Sequence, residues 1–418
     1  MVKTAFPTNG RSWPELAQEM EAMKAGDVDW RGGRSPLYVF GATDEVANVA
    51  RDAFNMYFTE NALGANRAFG SLRRMEDEVL AATLELFSAP PEASAIFTTG
   101  GSESLILAVQ AARDFNRRNH DRASARNVVV PYTAHPGFDK GGRLMDIEIR
   151  RVAAGADGRA DVAAMADACD AGTIMIAGSA PCFPHGLIDP IPALSDLAVS
   201  RNLWLHVDAC VGGFIAPFAR ALGRDLPAFD FACPGVRSIS ADLHKFGYCP
   251  KPASTLSFRD EAARDAATFD FDNWPNGRFA TATLAGTRPG GAVAGAWAVM
   301  NFLGRDGYLE LTRRALAMAD AYAAGISEIP GLKLWAQPDL TILNWGSPSL
   351  DIFAISQKMH DRGWLPGLTR NPAGMHLMAS LLHEPVREAY LSDLAACVDI
   401  VRKQPASGDG QNRGVSYN

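Results

Sequence analysis

The sequence predicts an α/β fold: a mostly parallel sheet with helices on both faces, followed by a smaller α+β region. Three observations predict it. First, short apolar runs recur along the chain: NVVVPY (127–132), TIMIAGS (173–179), LWLHVDA (203–209), VRSISA (236–241) and STLSF (254–258). Their length and Val/Ile content are those of strands. Second, helix-like segments such as 103–118 and 190–201 lie between them. Third, the runs are nearly continuous in apolar character, as in strands covered on both faces. In such sheets ligands sit at the carboxyl ends of the strands.

The elements follow in order. Residues 1–60 read as an N-terminal arm, with a helical pattern near 14–24 and then Gly/Pro-rich loop. LRRMEDEVLAATLELFS (72–88) places apolar residues at helical spacing. The strand–helix series that follows belongs to a large domain expected over 61–305. Beyond 306 the pattern changes. GYLELTRRALAMADAYAAGISEI (307–329) reads as one long amphipathic helix. Strand candidates in KLWAQ and TILNW come next, then helices at 351–362 and 386–403. A small C-terminal α+β domain is expected over 306–404. The tail 405–418 is polar and Gly-rich, the composition of a disordered segment.

Composition narrows the function classes. With 418 residues, 47% hydrophobic and 21% charged, the chain can bury a sizeable core without disulfide or metal staples. A net charge of −7 and the lack of a basic block argue against nucleic-acid binding. Six cysteines are scattered with no CxxC pair, so structural zinc is not expected and reduced thiols are. The first residues lack the apolar run of a signal peptide, and no run reaches the roughly 18–20 apolar residues of a spanning helix. The expectation is a soluble, cytoplasmic protein with no metal.

Five stretches carry chemistry. TTGGSESLILAVQAARDF (98–115) sets two glycines before a helix start. The backbone N–H groups there, with the Ser102 and Ser104 hydroxyls, would cradle an anion; alternatively Ser102 merely caps the helix. LWLHVDACVGGF (203–214) ends an apolar strand on Asp208. A desolvated carboxylate is costly unless it faces a cation, and a protonated pyridine nitrogen is one such cation; otherwise it caps a loop. Gly212 and Gly213 keep the next backbone slim. SADLHKFGYCPK (240–251) holds Lys245, whose amine is nucleophilic when deprotonated. A partly buried, cation-rich site is expected to lower its pKa. His244 beside it could donate to a phosphate, and Lys251 adds a second charge; otherwise this is a solvated turn. PYTAHPGFDK (131–140) supplies His135 just past a strand, either to stack on an aromatic ring and carry protons or as a bonded loop histidine. In LAGTRPGGAVAGAWAVM (284–300), the loop Thr287–Gly291 enters a small-residue helix and either approaches a phosphate or serves tight helix packing.

Taken in order, Gly-Gly-Ser-Glu-Ser, a strand-end His, His-Val-Asp-Ala-Cys, Ser-x-Asp-x-His-Lys and Gly-Thr-Arg-Pro-Gly resemble pyridoxal-phosphate-dependent enzymes of the group II decarboxylase type. Among these the chain looks most like the sphingosine-1-phosphate lyases, from about 70 to 305 and more loosely to 400. LHVDACVGGFIAPF, FDFACPGVRSISADLHKFGYCPK and LAGTRPGG followed by GYLEL carry that likeness. The resemblance implies the aspartate aminotransferase-type fold (fold type I) and pyridoxal 5'-phosphate as cofactor. It implies Lys245 as the Schiff-base lysine, Asp208 at the pyridine nitrogen and His135 stacked on the ring. Gly101, Ser102 and His244 would hold the cofactor phosphate, with Cys210 close by. Thr287 would reach that phosphate from the neighbouring subunit of a homodimer. Lys251 would lie near the substrate phosphate, and Tyr57 matches the family's entrance tyrosine. The implied reaction cleaves a phosphorylated long-chain amino alcohol to a long-chain aldehyde and phosphoethanolamine.

Two other readings remain at this point. An amino-acid decarboxylase on the same fold differs only in which Cα bond breaks; it needs a carboxylate clamp, for which Arg370 in LTRNP is the candidate. A catalytically silent cofactor-binding protein is the second.

Overall fold

The computed structural model describes residues 6–119 and 126–403. The tail 405–418 lies outside them. Seven strands form the main sheet: β1 (Ser94–Thr98), β2 (Asn127–Pro131), β3 (Glu148–Val152), β4 (Thr173–Ser179), β5 (Trp204–Asp208), β6 (Val236–Ala241) and β7 (Ser254–Phe258). Their order is β1-β7-β6-β5-β4-β2-β3. The β3-β2-β4-β5-β6 block is parallel, and β7 runs antiparallel to both its neighbours. The five runs anticipated as strands are all present. The two edge strands, β1 and β3, are additional.

Helices cover both faces, as continuous apolar strands require. They are α1 (Trp13–Met23), α2 (Asp44–Met56), α3 (Gly70–Leu86), α4 (Gly101–Asn119), α5 (Gly137–Met145), α6 (Val162–Ala168), α7 (Ile191–Arg201), α8 (Ala216–Ala221) and α9 (Glu261–Ala267). One core joins the sheet to α2, α3, α7 and α8, with Phe87, Leu205, Val207, Ile239 and Phe246 buried at its centre. A second lies on the opposite face under α4, α5 and α9, built on Leu105, Val128, Val130, Met175 and Phe258. Each such fully buried side chain contributes about 1.5–3 kcal/mol of apolar transfer.

A two-stranded hairpin, β8 (Phe269–Phe271) and β9 (Phe279–Thr281), leads into α10 (Gly290–Glu328). Helix α10 is interrupted at Gly304, whose φ of 53° and ψ of −175° break the helical path. The helix anticipated over 307–329 is its second half. At the start of α10, a Cβ on Gly290 would lie 2.7 Å from Glu60 O, and one on Gly291 2.6 Å from Phe54 O. The glycines of the TRPGG stretch therefore serve close helix packing. A second sheet follows, ordered β10 (Lys333–Leu334), β11 (Ile342–Gly346), β13 (Ala373–Met378), β12 (Gly367–Arg370). It packs through Leu343, Trp345, Met375 and Leu377 on α10, α11 (Ile352–His360) and α12 (Arg387–Arg402). Among the described residues, no helix is long and apolar enough to cross a membrane.

Candidate active site

The carboxyl ends of β5 and β6, the start of α4 and the turn after β6 converge on Lys245. Strand β5 is buried along its whole length, which carries Asp208 to the floor of the site with only 8% exposure. Register places Asp208 opposite Ser179 on β4 and Ser240 on β6. Asp208 Oδ1 accepts from the Cys210 backbone N–H (3.1 Å) and from Ser240 Oγ (3.5 Å). The slim backbone expected after it is real. A Cβ on Gly212 would lie 2.1 Å from Ala180 O, and one on Gly213 2.5 Å from Ala241 Cβ.

Lys245 follows β6 in a turn, and its Nζ sits 3.0 Å from Asp242 Oδ2. This overturns the expectation of a lowered lysine pKa. Burial pulls it down, but the Asp242 and Asp208 carboxylates outweigh that, and Lys245 stands well above the ordinary lysine value. Asp242 is buried, and its carboxyl stands below its ordinary value: burial pushes it up, while Lys245 and His244 pull it down further. The other oxygen, Asp242 Oδ1, is buried with no hydrogen-bond partner among the described residues. Asp242 is the aspartate of the Ser-x-Asp-x-His-Lys stretch, and only its position in space shows that it is the lysine's counter-ion. His244 Nδ1 meets Ala253 O at 2.6 Å, and burial holds the ring below its usual pKa despite Asp242. Exposed Lys251 is held below the ordinary lysine value, by desolvation first and by the Lys245 charge second.

The start of α4 closes the site. A Cβ on Gly101 would lie 2.7 Å from Cys210 Sγ and 3.1 Å from Asp242 Oδ2, so this cradle accepts only glycine without displacement. Gly100 is less constrained: a Cβ there would meet His244 Cε1 at 3.6 Å, an ordinary contact. Ser102 is exposed on the first turn. The anticipated Ser104 contribution fails: its hydroxyl is buried against Thr98 Oγ1 (2.7 Å) and Ser254 Oγ (3.2 Å). Ser102 is not the cap either. Glu103 reaches back to the Thr99 N–H (2.7 Å) and hydroxyl (2.6 Å), an N-terminal carboxylate of the kind the helix dipole favours.

His135 lies past β2, in a loop held by Arg151 from β3. Arg151 Nη1 donates to Tyr132 O and Ala134 O, both at 2.9 Å. Gly137 N–H donates to His135 Nδ1 (3.0 Å), which leaves the ring proton on Nε2. Burial holds the ring below its usual pKa, against the pull of Asp208 and with the push of Lys245. Cys210 is buried, and burial followed by the Asp208 charge holds its thiol well above the usual range, so it is no nucleophile here.

Gly101, Asp208, Cys210, His244 and Lys245 thus share one site, with His135 and Lys251 in its field. Thr287 stands at another place in the chain, accepting from Asn61 Nδ2 at 3.2 Å. The Tyr57 side chain, at the end of α2, makes no hydrogen bond among the described residues. A cleft of about 520 Å³ lies beside Arg73, Glu76, Arg264 and Arg288, and none of the Lys245 group lines it. The convergence of buried ionisable groups, rather than open volume, marks the candidate site.

Residues 68–344 match the pyridoxal-dependent decarboxylase conserved domain. The sphingosine-1-phosphate lyase of rice (Oryza sativa subsp. japonica) is 37% identical, across 98% of this chain and 77% of its own length. That of Arabidopsis thaliana is 38% identical across 94% and 73%. The solved structure of the Burkholderia pseudomallei K96243 sphingosine-1-phosphate lyase superposes with a TM-score of 0.91 at 33% identity, covering 96% of this chain and 94% of that one. The fold type I expectation and the pyridoxal-phosphate expectation hold, and the chain belongs to the pyridoxal-dependent decarboxylase family as a sphingosine-1-phosphate lyase-like, pyridoxal-phosphate-dependent enzyme.

Proposed function

We propose that the protein is an aldehyde-lyase that cleaves a phosphorylated long-chain amino alcohol to a long-chain aldehyde and phosphoethanolamine. The observation that carries this reading is the 37–38% identity to two plant sphingosine-1-phosphate lyases across nearly the whole chain. The residues present fit the cofactor. Lys245 offers an amine in a site walled by Asp242, and the Gly101 cradle leaves space that a Cβ would fill. Asp208 ends a buried strand at the carboxyl edge of the sheet, where ligands bind in such folds.

Pyridoxal phosphate, when bound, supplies an electron sink for the Cα–Cβ cleavage. The chain's own groups do the rest. Lys245 Nζ would hold the cofactor aldehyde and must lose a proton first; the pair it makes with Asp242 Oδ2 at 3.0 Å favours the ammonium, so that proton would have to leave to another base as the cofactor enters. Asp208 would hold a proton at the pyridine nitrogen. Gly101 and Ser102 at the α4 start, with His244, would bind the phosphate, since N-terminal N–H groups favour anions. Neutral His135, its Nε2 protonated, would stack on the ring without adding charge. Cys210 would line the cofactor side of the site. Lys251 and Tyr57 would bind substrate, with Lys251 toward its phosphate. Thr287 would complete the phosphate site of a partner subunit, which makes the working unit a homodimer. The scheme places the large cofactor-binding domain at 61–305 and the small domain at 306–404, with the arm 1–60 before them. Six free cysteines support a reducing compartment, the cytoplasm.

Purified, cofactor-loaded protein given sphingosine-1-phosphate should release long-chain aldehyde and phosphoethanolamine in equal amounts. A panel of amino acids assayed beside it should release no CO₂. Carbon dioxide from one amino acid, with no aldehyde, would make the protein a decarboxylase and sink the lyase reading. Gly101→Ala tests the cradle. The added Cβ meets Cys210 Sγ, so the variant should lose about 1–3 kcal/mol of stability and bind cofactor at least about tenfold more weakly. A thermal melt and a cofactor titration at wild-type values would remove Gly101 from the site.

A further inference from the structure

Beneath Asp208 lies a buried polar chain that the proposed chemistry does not use. Trp204 Nε1 meets Ser238 Oγ at 2.8 Å, and Ser238 Oγ meets His206 Nδ1 at 2.8 Å. His206 Nε2 meets Ser240 Oγ at 3.2 Å, and Ser240 Oγ reaches Asp208 Oδ1 at 3.5 Å. Cys210 Sγ also contacts Ser240 Oγ, at 3.3 Å. Trp204 is 3% exposed, and Ser238, His206 and Ser240 are fully buried.

Donor counting gives this chain a direction. An indole N–H can only donate, so Ser238 Oγ must accept it. The one proton on Ser238 then has His206 Nδ1 as its acceptor. That places the imidazole proton on Nε2, where it donates to Ser240 Oγ. Ser240 also accepts from the Cys210 thiol, and its own proton is left for Asp208 Oδ1. In the opposite tautomer Ser238 would accept twice and leave its proton unmatched, and Ser240 would turn its proton to His206 and away from Asp208. Unmatched buried donors are costly, so the first arrangement wins. Burial holds the His206 ring at a pKa of about 4 against the opposing pull of Asp208, so it is neutral and has a tautomer to choose.

We infer that Trp204, Ser238, His206 and Ser240 form a one-directional hydrogen-bond chain that positions Asp208, holding its carboxyl group oriented for the cofactor's pyridine nitrogen. The four are positioning residues, and the inference rests on the proposed role of Asp208. Their sequence spacing supports one built unit. Trp204 and His206 share a face of β5, and Ser238 and Ser240 share the matching face of β6, with His206 opposite Ser238 and Asp208 opposite Ser240 in register.

The test begins with ¹⁵N-histidine NMR on the cofactor-free and cofactor-loaded protein, with His206 assigned by loss of its signal in His206→Gln. His206 should be the neutral Nε2–H tautomer in both. Trp204→Phe removes the fixed donor and keeps an aromatic ring, and should mix or reverse that tautomer. An Nδ1–H tautomer in the wild type, or an unchanged tautomer in Trp204→Phe, overturns the chain. Ser240→Ala should weaken cofactor binding roughly tenfold, as expected for a lost hydrogen bond to a charged group, and Ser240→Thr should restore most of it. Unaltered affinity in Ser240→Ala overturns the role at Asp208. Asp208→Asn separates the two readings. If it leaves the absorption spectrum of bound cofactor unchanged, the assignment of Asp208 fails, while the His206 tautomer still decides the chain by itself.

Discussion

Lys245→Ala is expected to abolish the visible absorbance of lysine-bound cofactor and to lower turnover by about four orders of magnitude or more, the scale seen when a covalent catalytic group is removed. No other amine can substitute from its position. Lys251 lies in the same field, yet it is exposed and six residues further along the chain. The variant also leaves Asp242 buried with neither oxygen paired to an ammonium. Breaking a buried pair from one side costs about 3 kcal/mol or more, so the melting temperature should fall as well. Lys245→Ala/Asp242→Asn should recover part of that stability and none of the activity. An absorbance scan, a melt and the product assay check all three. Absorbance that survives in Lys245→Ala would show that another residue holds the cofactor.

Asp208→Asn should leave the cofactor bound and slow cleavage by roughly 10²–10³-fold, the range for loss of one preorganised electrostatic partner. The substitution is isosteric. The Cys210 N–H and the Ser240 hydroxyl can still reach an amide oxygen, so the fold around β5 should persist. What disappears is the negative charge, and with it the means of keeping the pyridine nitrogen protonated. Turnover measured at saturating cofactor, with the bound fraction read from absorbance, separates lost chemistry from lost binding. Unchanged turnover would remove Asp208 from the mechanism.

The elements that were legible in advance share a physical cause. β2, β4, β5, β6 and β7 are central strands, buried on both faces, so their apolar character is continuous and visible in one dimension. β1 and β3 are the sheet edges and only partly buried. Ser94-Ala-Ile-Phe-Thr and Glu148-Ile-Arg-Arg-Val therefore lack that signature. Long helices such as α3 and α12 were readable from apolar spacing, because each buries one face, while α4 is buried nearly all round over residues 103–109 and was readable from its length. Short α5 and α6 were not.

By itself, the sequence determined the α/β class, and its resemblance to known enzymes supplied the family, the cofactor and the candidate group of Lys245, Asp208, His135, His244, Gly101 and Cys210. The motifs that carry the resemblance follow strand ends and glycine turns, so each is visible in a short stretch. Only the tertiary structure decided what each group faces. It made Asp242 the partner that raises the Lys245 pKa, turned Ser104 into the interior, and joined Trp204 and His206 to serines some thirty residues away on β6. Cross-strand register sets those contacts. Register arises from packing of the whole sheet, and no short stretch of sequence contains it.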